Sequence, residues 1–307
     1  GLGEARYWLG EFERAAPALE RALSLGGDDA AIRAQAGRFL GDIELSIRGN
    51  EERAQDLLQD ALKAAREVGD PVTVARTLLV AAWGPYWRGD TDDARAMFAE
   101  ALDTARANPK SDPWAEARAL VGLAMLVEEH GDGLEAFGVA SEALAIAEAA
   151  RDRFSICVAR EAVGGTLRRM MRLEEAERHL DGSVDGFREL GARWELASAL
   201  TSRGITRRLA GKAEASVADL REAFKLCREL KERSIITWTA AALAKSLIDG
   251  GDTSGARRVL AEAAQVANTG GPAPEEWLDY AGVEILLVEG EQDEALEKAR
   301  SILAFER

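Results

Sequence analysis

One short motif recurs eight times along the 307 residues: a glycine, usually followed by an acidic or polar residue, with a small residue five positions after the glycine. Successive copies are 39 to 42 residues apart. A spacing this regular indicates one repeated supersecondary unit rather than a set of unrelated domains. The copies begin at Gly10, Gly49, Gly89, Gly131, Met171, Gly211, Gly251 and Gly290, where Met171 stands in for glycine.

A second pattern follows each copy of the motif. Four, seven and eight residues after Ala15 stand Leu19, Ala22 and Leu23, and the later copies have small or apolar residues at the same offsets. Offsets of four and seven return to one face of an α-helix. Another helical segment precedes each glycine, which can supply the left-handed residue that ends it. Each copy is therefore predicted to be a helix, a short turn and a helix.

Glycine and proline clusters separate the copies. Helix-forming residues are abundant, the proline count is only 7, and runs of β-branched residues are rare, so the predicted class is all-α. We expect a single repeat domain over 1–307, and we expect it to be a segment of a longer polypeptide because Gly1 falls inside the first helix of its unit; alternatively, disordered ends are missing. The units are approximately 1–27, 28–70, 71–111, 112–152, 153–192, 193–232, 233–272 and 273–307.

Charge and apolar patterning exclude two kinds of partner. A net charge of −15 and a pI near 4.8 oppose a surface that holds nucleic-acid phosphates. The longest apolar stretch, Leu78 to Trp83, is far shorter than the ~20 residues that cross a bilayer. We therefore expect no direct nucleic-acid binding, no membrane contact and a cytoplasmic location.

The residues that usually carry catalysis or hold metals are few. Cys157 and Cys227 are too far apart for a redox pair or metal knuckle and are predicted to be buried as small hydrophobes. His130 and His179 lack zinc-ligand spacing and are predicted to be solvated. No phosphate-binding loop is present in the sequence. The expectation is no catalytic residue, no metal and no cofactor.

The motif resembles the tetratricopeptide repeat (TPR). The turn glycine, the alanine five residues later and the following apolar pair match it, and Gly164 and Gly204 occupy the small-residue position seven before the turn. The resemblance covers essentially the whole chain and implies a right-handed superhelical solenoid of about eight helix-turn-helix repeats. The period of ~40 residues exceeds the standard 34. It is similar to the MalT-like sensor arrays of bacterial LuxR-type regulators of the signal-transducing (STAND) ATPase class.

That resemblance implies a non-catalytic sensor or interaction domain of a multidomain transcriptional or signalling regulator; the alternative is a static protein–protein scaffold or adaptor. In TPR arrays the first helix of each unit lines a concave groove. The expected partner there is a peptide, a protein segment or a small effector with an apolar part and an anionic group. The groove positions carried over to this chain are Trp83, Tyr86, Trp87, Glu161, Arg168, Arg169, Thr201, Arg208, Lys245 and Tyr280.

The groove residues have two interpretations that the sequence leaves open. Arg168, Arg169 and Arg208 could bind an anionic ligand through their planar forks, or pair with nearby carboxylates of Glu161, Glu174 and Glu175. The aromatic residues could contact a ligand, or support the end of a helix bent at Trp83-Gly84-Pro85. Recurrent aromatics at Trp114, Phe154 and Trp194 are predicted to fasten each incoming helix to the preceding unit.

Overall fold

A computed structural model describes residues 1–108, 112–129, 131–231, 235–267 and 276–305. His130 lies outside them. Contacts divide the chain into two compact units, an N-terminal body, Gly1–Ala192, and a C-terminal body, Arg193–Arg307. The division falls at the predicted boundary between repeats five and six. The two bodies are described separately.

Among the described residues, the N-terminal body holds five helical hairpins and the C-terminal body holds three. No strand occurs among the described residues. In the N-terminal body the helices are α1 Leu2–Trp8, α2 Phe12–Gly26, α3 Ala30–Asp42 with a π-helical extension Ile43–Ile47, α4 Glu51–Val68, α5 Pro71–Ala81, α6 Trp83–Arg88, α7 Thr91–Ala107, α8 Pro113–Glu129, α9 Gly133–Ala149, α10 Arg153–Arg169 and α11 Leu173–Leu190. In the C-terminal body they are α12 Arg193–Leu209, α13 Ala213–Leu230, α14 Ile236–Asp249, α15 Thr253–Ala267, α16 Glu276–Glu289 and α17 Gln292–Phe305.

All eight predicted turn residues adopt the left-handed conformation. Their φ angles run from 58° at Met171 to 87° at Gly131. The backbone N–H of the next residue donates back to the preceding helix, as in Arg172 N–H to Leu167 C=O at 2.9 Å. This bond satisfies a carbonyl that the helix end leaves unpaired. The eight predicted turns and hairpins are confirmed.

Small residues let the paired helices approach closely. The motif residue after each turn is at most 1% exposed in all eight repeats, from Ala15 to Ala295. A Cβ added to Gly164 would lie 2.6 Å from Leu180 Cγ, and one added to Gly204 would lie 2.5 Å from Leu220 Cγ. Glycine is required at both positions because the facing leucine fills the space. In the last repeat the predicted stripe is not fully buried, since no described helix covers Leu303, which is 59% exposed.

Two first helices depart from the regular pattern. The first helix of repeat two ends in the π-helical segment Ile43–Ile47. The first helix of repeat three is interrupted at Ala82, so that Trp83-Gly84-Pro85 opens the short helix α6. Pro85 has no N–H to donate and its ring crowds the preceding turn, which explains the interruption. The predicted bend is confirmed.

One buried ionic cluster stabilises the C-terminal body and has no counterpart in the sequence-based expectations. Asp219 on α13 accepts two bonds from Arg203 on α12, at 2.8 and 2.9 Å, and one from Arg207 at 2.7 Å. Arg203 and Asp219 are less than a tenth exposed. Arg203 and Arg207 share this one carboxylate, so the cluster joins two helices.

Substitution of arginine at the motif alanine is expected to destabilise the fold. Ala94 and Ala176 are 0% exposed, so Ala94→Arg or Ala176→Arg forces a charged side chain between packed helices and should lower the free energy of unfolding by several kcal/mol. Ala96→Arg, at an exposed position of the same helix as Ala94, is the matched control. Thermal and urea unfolding measure the difference, and equal stability of the Ala94 and Ala96 variants would contradict the register.

Met171→Gly is expected to stabilise the N-terminal body. Met171 has a φ of 58° and a side chain that is 63% exposed. Left-handed backbone costs a non-glycine residue about 1–2 kcal/mol, of which the entropy of the unfolded glycine cancels about half. Urea unfolding should show a gain of about 0.5–1 kcal/mol. Met170→Gly, where φ is −75°, should give a loss instead, and a loss in both would contradict the strain at Met171.

Candidate functional site

Three aromatic residues of the predicted groove do come together in the N-terminal body. The Trp83 ring stacks on Trp87 at 6.1 Å between centroids and meets Tyr86 edge-on at 5.4 Å. It also contacts Phe98 of α7 at 5.3 Å. Trp83 and Tyr86 pack against the core, whereas Trp87 is 38% exposed. Helix packing therefore accounts for Trp83 and Tyr86, and Trp87 is the member with a free face.

Arg168 and Arg169 differ although they are adjacent. Arg169 Nε lies 2.9 Å from Glu128 Oε1 on α8. Arg168 has no hydrogen bond or ion pair among the described residues, and its buried Nε is without a partner. Burial lowers the pKa of Arg168, partly offset by the nearby Glu128. Arg169 is thus paired with Glu128 rather than with the carboxylates considered from the sequence. The guanidinium group of Arg168 forms no such pair with a described residue.

The predicted groove residues of the C-terminal body are mostly engaged within it. Arg208 pairs with Asp249 at 3.1 Å, and Lys245 pairs with Glu284 at 2.7 Å. Thr201 is 0% exposed and bonds to Thr239 Oγ1 at 2.9 Å, so it is part of the core and not of a surface. Tyr280 is 41% exposed. Glu161, in the N-terminal body, is half-buried. A groove continuous from Trp83 to Arg208 stays a prediction.

The sequence-based reasoning missed a second cluster on the first helices of the N-terminal body. The guanidinium carbon of Arg38 on α3 lies 4.1 Å from the centroid of Phe39. Trp8 of α1 contacts Phe39 at 6.0 Å and Phe154 of α10 at 6.3 Å. Residues of repeats one, two and five therefore meet on one face.

The same cluster continues through repeats three and four. The guanidinium carbon of Arg118 on α8 lies 5.0 Å from the ring of Trp114 and 5.8 Å from that of Phe154. The guanidinium carbon of Arg76 on α5 lies 4.8 Å from the Trp114 ring. Three cations and four aromatic rings are thus joined by successive contacts. We call this set the cation–aromatic cluster: Trp8, Arg38, Phe39, Arg76, Trp114, Arg118 and Phe154.

The cations of this cluster have unequal partners. Arg76 makes two bonds to Asp112, at 3.0 and 3.2 Å. Arg38 is only 8% exposed, and its Nε has no hydrogen-bond partner. Burial lowers the pKa of Arg38. Half-buried Arg118 contacts rings but forms no ion pair or hydrogen bond with a described residue. Two guanidinium groups of the cluster therefore have no ion-pair partner among the described residues.

A weak signal for this cluster was present in the sequence. Arg76 and Arg118 stand at the same position of their repeats, 13 residues before the turn glycine. Trp114 and Phe154 recur at a fixed phase and were interpreted as fasteners between units. Phe154 does contact Phe187 of its own repeat at 5.7 Å. Its approach to Trp8, four repeats away, could not be inferred from a local pattern.

The depressions near these residues are shallow. A cavity of ≈ 30 Å³, lined by residues that include Trp83 and Arg118, has room for about one water molecule. A larger, open depression of ≈ 530 Å³ lies on the second helix α4, away from both aromatic groups. Neither of these two depressions gives the first helices a pocket large enough for a ligand.

The described cysteine and histidine side chains are at least half-buried. Cys157 and Cys227 are buried, as predicted. His179 is half-buried rather than fully solvated. Its pKa is lowered, first by burial and then by Arg160 and Arg178. No group of three potential metal ligands occurs among the described residues. None of the described helices is both long and apolar enough to span a bilayer.

Solved structures resemble this fold, although no family model and no curated protein sequence matches the chain. A Rap protein complexed with competence and sporulation factor aligns with a TM-score of 0.63 at 17% identity, covering 90% of this chain and 75% of that one. Aspartyl phosphate phosphatase F from Bacillus subtilis gives 0.58 at 13%, covering 92% and 73%.

A STAND protein with a tetratricopeptide repeat sensor from Pyrococcus horikoshii gives a TM-score of 0.50 at 15% identity, covering 83% of this chain and 39% of that one. Identities this low carry the fold and not the activity. The chain is an all-α array of TPR-like helical hairpins.

Alanine substitutions at Trp83 and Trp87 are expected to distinguish the ring that packs against the core from the ring that is exposed. Trp83→Ala removes contacts with Phe98 and the core and should lower the free energy of unfolding by about 2–4 kcal/mol. Trp87→Ala removes a ring that is 38% exposed and should cost less than about 1 kcal/mol. Urea unfolding measures both. A larger loss for Trp87→Ala than for Trp83→Ala would reverse the two assignments.

Proposed function

We propose that this chain is a non-catalytic interaction domain that binds an extended polypeptide segment along the first helices of its N-terminal body. We place it in a cytoplasmic, multidomain bacterial regulator of signalling or transcription, where binding reports the presence of the segment. The similar Rap protein was solved with a bound factor, and the similar STAND protein contains a TPR sensor. Both likenesses support a sensing role.

One observation carries the proposal. Arg38, Arg118 and Arg168 are at least half-buried, and none is paired with a carboxylate among the described residues. Removing a guanidinium from water without a partner costs free energy. The cation–π contacts of Arg38 and Arg118 offset only part of that cost. Arginine and tryptophan are the side chains enriched at binding hot spots.

The alternative is a static scaffold that holds partner proteins without changing. A sensor must differ between its free and bound states, since a ligand shifts an equilibrium only through differential affinity. Hydrogen exchange measured with and without a bound peptide separates the two. In a sensor, protection of backbone amides from exchange extends beyond the helices that contact the peptide. In a scaffold, only the amides at the contacts are protected.

Binding is tested by selecting ligands for the 1–307 chain from a displayed library of random peptides about 12 residues long. Calorimetry of a selected peptide should show affinity weakened by about 1.5–3 kcal/mol in Arg168→Ala, the value of one charged hydrogen bond. Arg208→Ala should lose less, because Arg208 is already paired with Asp249.

Arg178→Ala is the matched control, since Arg178 is exposed on the second helix α11. Recovery of no peptide above background would refute the proposal. So would peptides whose binding is insensitive to every substitution on the first helices.

A further inference from the structure

We propose that Arg38 and Arg118, which flank the row of rings Phe39, Trp8 and Phe154, are carboxylate-binding positions for aspartate or glutamate of the bound segment, while those rings receive an adjacent apolar side chain. This inference rests on the proposed function and names the chemistry of its ligand. It places the specificity of the domain in the cation–aromatic cluster rather than at Trp83 or Arg208.

Arg38 is the main evidence. Its side chain is only 8% exposed, yet its Nε has no hydrogen-bond partner. The ring of Phe39 contributes a cation–π contact at 4.1 Å, which offsets only part of the cost of burial. A planar fork held in place by a ring is ready to bind a carboxylate through two parallel bonds.

Two carboxylates lie near Arg38, and neither is bonded to it. Asp42 accepts hydrogen bonds from the Tyr7 hydroxyl and from Ser46 Oγ, the latter at 2.9 Å. The other nearby carboxylate is that of Glu4. Neither carboxylate forms a hydrogen bond with Arg38. Asp42 and Glu4 attract the Arg38 guanidinium at a distance, but no described carboxylate forms an ion pair with it.

Arg118 is the second cation of the cluster without a carboxylate partner among the described residues. Asp112 is engaged by Arg76 through two bonds and also accepts from the backbone N–H of Ala115 at 3.3 Å. Arg118 is left with aromatic neighbours, Trp114 and Phe154. Arg76 and Arg118 both lie against the Trp114 ring, so Arg118 is held without being neutralised.

The overall charge decides which kind of anion fits. At −15 the chain repels a polyanion at long range. An isolated acidic side chain within an otherwise apolar segment avoids most of that repulsion and still uses the local fork. Rings such as Trp8, which is 49% exposed beside Phe39 and Phe154, offer apolar surface for the neighbouring residue. The ligand class is therefore an acidic–apolar peptide motif and not a nucleic acid.

The binding test uses peptides selected from the random library on the 1–307 chain. We expect selected sequences to share an aspartate or glutamate next to an aromatic or aliphatic residue. Changing that acid to its amide should weaken binding about 10- to 100-fold, the range for a charged hydrogen bond. Arg38→Met and Arg118→Met should each give a similar loss. Arg21→Met, at an exposed position on α2, should leave affinity unchanged.

Inorganic phosphate as a competitor separates a carboxylate subsite from a phosphate site. Phosphate at millimolar concentration should leave peptide binding nearly intact. If phosphate displaces the peptide at micromolar concentration, the preference for carboxylate is wrong.

The stability of the variants separates binding from structure. Met keeps most of the length of the arginine stem and removes the unpaired charge, so Arg38→Met should leave the melting temperature level or raise it by about 2–4 °C. A structural arginine would behave in the opposite way. A fall in melting temperature for Arg38→Met, with peptide affinity unchanged, would assign Arg38 to the fold and overturn the proposal.

The remaining outcomes distinguish this inference from the function on which it rests. If peptides are selected but show no acidic preference, or ignore both arginine substitutions, the subsite is wrong and the interaction function stands. If no peptide is selected at all, the interaction function fails, and the subsite fails with it.

Discussion

The close approach of paired helices at small residues is the constraint from which the rest of the structure follows. At Gly164 and Gly204 the facing leucine leaves no room for a Cβ, and the motif residue after every turn is almost completely buried. Each helix can pack this tightly only if the turn places it in register. The left-handed residue that ends the first helix sets that register, which is why it recurs at intervals of about 40 residues.

Neighbouring repeats are further joined by ion pairs that follow the same period. Arg66 pairs with Glu100 and Arg106 with Glu142, each at 2.6 Å, and Arg228 pairs with Glu262 at 2.7 Å in the C-terminal body. Both partners are largely exposed, so each pair contributes at most about 1 kcal/mol. These ion pairs help to fix the alignment of adjacent units, whereas the apolar contacts supply most of the stability.

The sequence was sufficient for features that depend on local periodicity. It located all eight turns, the buried small residues, the bend at Trp83-Gly84-Pro85 and the buried cysteines, because each of these is determined within one repeat. It did not predict the burial of Thr201, whose hydroxyl bonds to Thr239 of the next repeat, or the pairing of Arg169 with Glu128. Those contacts depend on which rotamers meet across repeats, and a repeat pattern contains no such information.

The candidate site was the least predictable part for a related physical reason. Trp8 and Phe154 belong to repeats one and five, and they meet because the first helices converge over four successive units. Small rotations between units accumulate along that path, so the contact is a property of the whole N-terminal body. Convergence also brings cations close together, which a fold selected for stability alone would avoid. Arg38 remains buried beside an aromatic ring without a hydrogen bond at Nε, so the fold carries an electrostatic cost at this face, which a carboxylate bound at the proposed position would offset.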